Sequence, residues 1–218
     1  MQTGTRMHSL MTAILMLSYA KRSAVTRISS KNRRGMATES QTSLAQLIKE
    51  INSQVTDSKI GLGPELFLFV SRLTPLVNVD ILLQRNSNHC QETLMTWRSD
   101  QFYKGWHLPG GVIRFKESME NRVRQVASLE LGVESLTSVQ FMTFNQKIND
   151  VRDERGHFIS FLFKVTTNQS PIASKECRDP DSPHDGEWFW FSSPPKEILP
   201  QHKVYEEYFT KDEVIKVR

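Results

Sequence analysis

One segment of the sequence, residues 105–133, combines a tight turn with acidic residues in a way that suits phosphate chemistry: GWHLPGGVIRFKESMENRVRQVASLELGV. Pro109, Gly110 and Gly111 force a turn, and an acidic residue follows six positions after the second glycine. The pattern then predicts a helix from about residue 117 to 131, which ends before a glycine in the usual capping position. The segment therefore indicates a site for a phosphate-bearing ligand, although it holds few carboxylates.

Glu130 is the most informative residue of this predicted helix. Met119, Val123, Val126 and Ala127 form an apolar stripe, and Glu130 continues that stripe four residues after Val126. Its carboxylate therefore points toward the packed side, in the last turn, where the negative end of the helix dipole opposes it. Because an unpaired buried carboxylate is costly, we expect a cation beside Glu130, either a metal ion or an arginine.

The elements that would position this segment follow from the patterns on either side of it. A short amphipathic helix is predicted from Ser43, and a final helix around KVYEEYF. Strands are predicted at ELFLFVSR, TPLVNVDILLQR, ETLMTWRSD, SVQFMTFNQ, HFISFLFKV and GEWFWFSS. Strands that flank one central helix and end with another predict a mixed α/β sandwich rather than a doubly wound sheet.

Composition and charge narrow the class of protein. A chain of 218 residues with 38% hydrophobic and 24% charged residues predicts one main soluble domain with extensions. Cys90 and Cys177 match neither a disulfide framework nor a zinc spacing, which favours a reducing compartment, and we expect the cytoplasm. Seven of the 28 basic residues lie in residues 1–36, which hold no acid, so 21 basic residues face 24 acidic ones from position 37 onward. Nucleic-acid binding is therefore not predicted.

Three segments are predicted along the chain. Residues 1–36 read as a disordered basic tail, either a targeting segment or sequence upstream of a true start at Met36. Residues 37–60 form a helix and linker, and residues 61–218 form the main domain. The closest approach to a membrane span, Ser9 to Ala20, is too short to cross a bilayer, so no membrane partner is predicted.

The 105–133 segment resembles the signature of the Nudix hydrolases, which reads Gly, five residues, Glu, seven residues, then Arg-Glu-apolar-any-Glu-Glu-any-Gly-apolar. The matching residues are Gly111, Glu117, Glu130, Gly132 and Val133, whereas Gln125, Val126 and Leu129 stand where Arg, Glu and Glu are expected. Within that superfamily, the GDP-mannose mannosyl hydrolases tolerate this loss. The similarity to them continues in SRLTPLVNVDILLQ, GWHLPGG and SPHDGEW and covers roughly residues 65–205.

The resemblance implies a Nudix-type α/β/α sandwich with a mixed sheet and a Mg²⁺ or Mn²⁺ ion held by Glu130 and the carbonyl of Gly110. It also implies that His184 is the general base, since a neutral imidazole can accept a proton from water. Asp80 would orient the sugar or an arginine, and Arg98 would bind a diphosphate through two parallel hydrogen bonds. Further candidates for substrate binding are Arg72 and Arg114.

Three departures from that family concern the same site. The family's third metal ligand, a Gln, is replaced by Pro183, an arginine after the Gly-Gly pair by Val112, and a tyrosine by Phe158. His107 and His157 are alternative histidines, each with a structural hydrogen bond as its simpler interpretation.

The missing glutamates are explained if the protein breaks a different bond. Attack on phosphorus uses several glutamates, whereas attack on the anomeric carbon needs mainly a stabilised nucleoside diphosphate leaving group. We therefore expect a divalent-metal-dependent hydrolase of a GDP-mannose-like nucleotide sugar. The alternatives are a Nudix pyrophosphohydrolase that uses other acids such as Glu117 and Glu134, and a catalytically inactive Nudix binding module. Assembly as a homodimer is left open.

Overall fold

The structure is a computed structural model that describes residues 43–87 and 90–209. The chain divides into two compact units, residues 1–48 and 49–218. In the first unit the described residues form the start of a helix, and the rest of the account concerns the second unit. The predicted basic tail, residues 1–36, lies outside the described residues. Within the described ranges, no helix combines the length and the apolar character that crossing a bilayer requires.

Three α-helices occur in the described ranges. Helix α1, Leu44–Gln54, confirms the first predicted helix, and the Ser43 hydroxyl accepts a hydrogen bond from an amide of its first turn. Helix α2, Pro64–Ser71, lies where a strand was predicted, so that prediction was wrong. The run of Leu, Phe and Val there favours strand, but Pro64 occupies the start of the segment, where its fixed φ suits a helix. Helix α3 is Met119–Leu131.

Seven strands form one mixed sheet. They are β1 Leu76–Ser87, β2 Cys90–Ser99, β3 Lys104–His107, β4 Gly110–Val112, β5 Ser138–Ile148, β6 His157–Thr166 and β7 Trp188–Phe191. Their order is β3-β2-β1-β6-β5, with β4 paired to β1 and β7 paired to β2. Only β1 and β6 run parallel among these pairs. The final helix exists as a 3₁₀ helix, Pro200–Phe209, and a shorter 3₁₀ turn spans Ala173–Lys175.

Strand β1 separates two hydrophobic cores because its side chains alternate between the two faces of the sheet. Val79, Ile81 and Leu83 pack beneath α3, while Leu82 packs on the opposite face with Tyr205 of the 3₁₀ helix. One helical layer therefore covers each face, and the predicted α/β sandwich with a mixed sheet is confirmed. Asp80 lies on the same face of the sheet as Leu82, so its carboxylate points toward the 3₁₀ helix, where Tyr205 is its hydrogen-bond donor.

Both ends of α3 are fixed by local chemistry. The Ser118 hydroxyl accepts a hydrogen bond from the Asn121 amide at 3.2 Å. Gly132 ends the helix with φ 66°, a left-handed conformation that favours glycine. A Cβ on Gly132 would lie 2.9 Å from the Cβ of Ile172, so the absence of a side chain here also allows the segment around Ile172 to pack closely against the end of α3. These ends set the rotation of α3 and therefore the direction of Glu130.

We expect Gly132→Ala to lower the free energy of unfolding by roughly 2 to 4 kcal/mol, because it adds a clash to the cost of a left-handed alanine. Gly132→Asn is the matched control, since asparagine tolerates the left-handed conformation better than alanine but carries the same Cβ beside Ile172. It should recover only about 1 kcal/mol of the loss. Urea denaturation measures both changes, and a Gly132→Asn variant as stable as the original protein would contradict the contact with Ile172.

Candidate functional site

Three of the residues predicted from the sequence, Asp80, Arg98 and Gly110, line one cavity at the edge where β1 meets β4. We call it the central cavity; its other lining side chains include those of His107, Val112, Lys147, Arg155, Phe158 and His202. A Cβ on Gly110 would lie 2.5 Å from Asp80 Oδ1, so only glycine allows β4 to approach this close to β1. The Gly-Gly turn thus has a structural role in forming the cavity.

Glu130 lies beside this cavity and is hydrogen-bonded to its wall. Its carboxylate accepts hydrogen bonds from the Gly110 amide at 3.3 Å and from the Thr96 hydroxyl at 3.2 Å. Glu130 and Arg98 line an adjacent space, here called the Glu130 cavity, together with Lys175 and Asp185. Burial raises the pKa of Glu130 from 4.5 to about 7, although the charge of Arg98 opposes this shift.

The cation predicted beside Glu130 is not a protein side chain in this structure. Within residues 43–87 and 90–209, no lysine or arginine nitrogen approaches its carboxylate within 4.0 Å. Nor do three or more His, Cys, Asp or Glu side chains in those ranges converge on one metal position. A single carboxylate in these surroundings could hold a divalent ion only together with waters and with oxygens of a ligand, a coordination that Mg²⁺ commonly has.

Asp80 is buried, with 1% of its surface exposed, and its carboxylate is fully engaged. Oδ1 accepts a hydrogen bond from Asn78 at 2.7 Å, and Oδ2 accepts from Lys147 Nζ at 2.9 Å and from the Tyr205 hydroxyl at 2.5 Å. The cationic partner of Asp80 is thus Lys147 of β5. The predicted role of Asp80, to orient the sugar or an arginine, stays a prediction. Sequence reasoning missed Lys147, which no local pattern distinguishes.

Arg155 is a second cation of the central cavity that sequence reasoning missed. It has φ 53°, an uncommon conformation for a residue other than glycine. Its guanidinium lies 4.9 Å from the ring of Phe102 and 5.0 Å from that of Tyr103, and its buried Nε has no hydrogen-bond partner among the described residues. Asp100 lies 3.7 Å from Arg98 Nε and 4.0 Å from Arg155 Nη1, so one carboxylate serves two arginines.

The histidines of the site have different environments. His107 is buried, and its Nδ1–H donates to Leu108 O at 2.7 Å. Its Nε2 lies 3.2 Å from the Thr96 hydroxyl, whose single proton can be donated either to Nε2 or to Glu130 but not to both at once. Burial and the charge of Arg98 lower the pKa of His107 to about 4, so it stays neutral near pH 7. His202, also missed from the sequence, accepts a hydrogen bond from the Leu108 amide at 3.3 Å, and burial lowers its pKa well below 6.5.

His184, the predicted base, does not line the central cavity. Its side chain is 85% exposed, with Nδ1 3.6 Å from a carboxylate oxygen of Glu187. The turn that follows it is anchored to the end of β2: Asp185 accepts a hydrogen bond from the Ser99 amide at 2.6 Å, and the Gly186 amide donates to Trp97 O at 2.9 Å. His184 is therefore adjacent in the sequence to Asp185, which lines the Glu130 cavity. His157 is hydrogen-bonded to Gln146 at 3.0 Å.

Two predicted substrate-binding arginines lie away from the central cavity. Arg72 is exposed after the end of α2 and lines a separate surface cavity with Arg152. Arg114 follows β4, where its amide donates a hydrogen bond to Glu117 at 2.9 Å, and it does not line the central cavity. Their predicted roles stay predictions, and the structure gives Lys147 and Arg155 the positions nearer to the cavity.

Glu130→Gln should change stability in a way that depends on pH. Because the pKa of Glu130 in the folded protein lies above its usual 4.5, the penalty for burying its charged form grows as the pH rises from 4.5, is complete above about 7, and vanishes below 4.5. In metal-free buffer the variant should therefore be more stable than the original protein at pH 8, by roughly 1 to 3 kcal/mol, and equally stable at pH 4.

Urea denaturation at both pH values measures this difference. Glu134→Gln is the control, since Glu134 is exposed and should show no such dependence on pH. A Glu130→Gln variant that is less stable than the original at pH 8 would indicate that the carboxylate has a protein cation as its partner.

Comparison with known families gives a match over most of the described chain. A family model described as NUDIX domain matches residues 74–211, which include every residue of the central cavity. The curated low-salt glycan biosynthesis protein Agl8 of Haloferax volcanii is 29% identical over 103 residues, which is 45% of this chain and 63% of that protein. The chain thus spans less than two thirds of that relative.

Solved structures of similar fold include the MutT NUDIX hydrolase from Burkholderia pseudomallei. It is 20% identical with a TM-score of 0.49, over 62% of this chain and 97% of that one. The NUDIX domain of Shewanella oneidensis NrtR, solved in complex with ADP ribose, is 20% identical with a TM-score of 0.44, over 62% and 85% of the two chains. Since the family model spans more than half of the sequence and all of the strands around the cavity, the chain belongs to the Nudix hydrolase family.

Proposed function

We propose that this protein hydrolyses a nucleotide sugar, with water attacking the anomeric carbon to release a nucleoside diphosphate and a hexose. The observation that carries the proposal is the charge of the central cavity. Arg98, Lys147 and Arg155 all line it. Asp80 is bonded to Lys147, and Asp100, which is not a lining residue, lies within 4.0 Å of both arginines, so three cations face two carboxylates. This excess of positive charge favours an anionic ligand such as a diphosphate, whose oxygens can bind both arginines.

The surroundings of the acidic residues support attack on carbon over attack on phosphorus. Where the Nudix signature has two further glutamates, Val126 is buried in the core under α3 and Leu129 is 60% exposed. Neither position offers a carboxylate to a metal ion. A pyrophosphohydrolase would then depend on other acids close to the diphosphate.

The two acids named for that alternative are placed unfavourably. Glu117 is bound by the Arg122 guanidinium at 2.7 Å and by the Arg114 amide at 2.9 Å. Glu134 is exposed and accepts a hydrogen bond from Ser128 at 2.8 Å. Neither lines the central cavity or the Glu130 cavity. Attack on the anomeric carbon requires fewer carboxylates and is compatible with Glu130 alone.

The proposed roles follow from these positions. Arg98, which lines both cavities, binds the diphosphate and stabilises the charge that develops on it as the leaving group. A divalent cation, which Nudix hydrolases generally use, would neutralise part of the same charge, with Glu130 and Gly110 as its protein ligands.

His184 is the proposed base because it is the histidine next to the Glu130 cavity that is exposed to water. The oxygen of water forms a bond to the anomeric carbon, the bond from that carbon to the diphosphate oxygen breaks, and the bonding electrons leave with the nucleoside diphosphate. His184 takes the proton of the water. The name of the Haloferax relative assigns that protein to glycan biosynthesis, which is consistent with a sugar-bearing substrate for this one.

Product analysis tests the proposal. Incubation of the protein with Mg²⁺ and a panel of nucleotide sugars should release free hexose and nucleoside diphosphate. Sugar phosphate and nucleoside monophosphate would instead identify a pyrophosphohydrolase. Tight binding without any product would identify a Nudix binding module. In that case Val112 and Phe158, which replace an arginine and a tyrosine in the wall of the central cavity, would contribute to the absence of catalysis.

His184→Gln should lower kcat by roughly 10² to 10⁴, the range expected for the loss of a general base, with little change in KM. Ser182→Ala, at an exposed residue of the same turn that lines none of these cavities, is the control and should not affect the rate. Full activity of His184→Gln would remove this residue from the mechanism.

A further inference from the structure

A third cavity adjoins the central one and shares no lining residue with the Glu130 cavity. Its wall carries four amide side chains, so we call it the amide cavity: Asn145, Gln146, Asn149 and Gln201. Its volume is about 390 Å³, against about 120 Å³ for the central cavity. The two cavities share Lys147, Arg155 and Phe158 in their walls, so they form one continuous depression.

The three cavities lie in series, with cations at both junctions. Arg98 is common to the Glu130 cavity and the central cavity, while Lys147 and Arg155 are common to the central and amide cavities. The proposed metal ligand Glu130, and Asp185 next to the proposed base, belong to the first of them. A substrate whose diphosphate occupies the central cavity would therefore react at one end of this series and extend its unreacted part toward the other end.

We propose that the amide cavity is the nucleoside subsite, and that Lys147 and Arg155 bind the phosphate next to the nucleoside. The inference rests on the proposed function, which assigns the hexose to the Glu130 end. The nucleoside is then the part of the substrate that is left for the amide cavity.

The chemistry of the wall suits a nucleoside. Amide side chains offer both donors and acceptors, which match the edge of a base and the hydroxyls of a ribose. Gln146 is bonded to His157, and the Asn149 side chain accepts a hydrogen bond from the Val151 amide at 3.2 Å. The Gln146 side chain is exposed and lines the amide cavity but not the central cavity, while Phe158 adds an apolar surface to the wall.

The two cations at this junction are held in place before a ligand arrives. Lys147 Nζ donates to Asp80 at 2.9 Å and lies 4.6 Å from the centre of the Tyr205 ring, and an ammonium group has further donors for a ligand. Arg155 is fixed by the rings of Phe102 and Tyr103 and by the hydrogen bond that its backbone amide donates to the Ser71 hydroxyl at 3.1 Å. A backbone conformation with positive φ in a residue other than glycine, kept by these contacts, is typical of functional sites. Preorganised cations lose little entropy on binding an anion.

The role of Gln146 can be tested by equilibrium binding with the full chain and Mg²⁺, with GDP, ADP and inorganic pyrophosphate as probes. Pyrophosphate has the two phosphates but lacks a nucleoside. Gln146→Leu should weaken the binding of whichever nucleoside diphosphate binds more tightly by about five- to tenfold, as expected for the loss of one or two hydrogen bonds. It should leave pyrophosphate binding unchanged, because Gln146 lines the amide cavity but not the central cavity. Gln140→Leu, at an exposed amide of β5 outside these cavities, should change neither.

The role of Arg155 has a matched control in the same loop. Arg155→Met should weaken the binding of nucleoside diphosphate and pyrophosphate alike, by about tenfold or more, because a charged hydrogen-bond donor is lost. Arg152 also lies over the Tyr103 ring, at 4.4 Å, but lines the separate surface cavity, so Arg152→Met should leave both affinities unchanged. Melting temperatures check that each variant is folded.

Unchanged nucleoside diphosphate affinity in Gln146→Leu, or an equal loss for pyrophosphate, would overturn the nucleoside subsite. Unchanged affinities in Arg155→Met would overturn the phosphate contact. These measurements involve no turnover, so a protein that releases free hexose from nucleotide sugars but fails them would refute this inference and leave the proposed function intact.

Discussion

The site depends on the burial of one charge, the carboxylate of Asp80. A carboxylate taken out of water is costly unless hydrogen bonds and an opposite charge compensate it. Here the compensation comes from β1 through Asn78, from β5 through Lys147 and from the 3₁₀ helix through Tyr205. β4 can approach the same carboxylate only because Gly110 has no side chain. The need to compensate this single charge therefore joins four elements around the central cavity.

A second carboxylate, Glu130, lies under a different constraint. It is held by two neutral donors, without a salt bridge to a described residue, and burial and the neighbouring Asp80 both raise its pKa. Near neutral pH it is therefore close to the point where it exchanges a proton. A metal ion that binds Glu130 must displace that proton, so metal binding and proton release are coupled. Lys147 and Arg155 line the central cavity but not the Glu130 cavity, so in the proposed reaction they would bind the ligand away from the carbon that reacts.

Local patterns predicted part of this arrangement. The inward direction of Glu130 followed from helix periodicity, and most strands followed from alternation or apolar runs bounded by turns. The strand predicted at residues 65–72 was wrong, since a short apolar run does not distinguish a buried strand from a helix and the proline at its start decided the outcome. Lys147 and Tyr205 could not be predicted, because they meet Asp80 across 67 and 125 residues of sequence and acquire their positions only when the sheet and the 3₁₀ helix assemble.

In the proposed reaction, the bond at the anomeric carbon breaks in a site that offers one carboxylate, Glu130, to a metal ion and a cationic cavity to a diphosphate. Hydrolysis of a nucleotide sugar in ¹⁸O-labelled water, followed by mass spectrometry of both products, distinguishes this reaction from attack on phosphorus. Attack on the anomeric carbon places the label in the hexose and leaves the nucleoside diphosphate unlabelled. Label on a phosphate product, with the hexose phosphorylated, would contradict the proposed reaction.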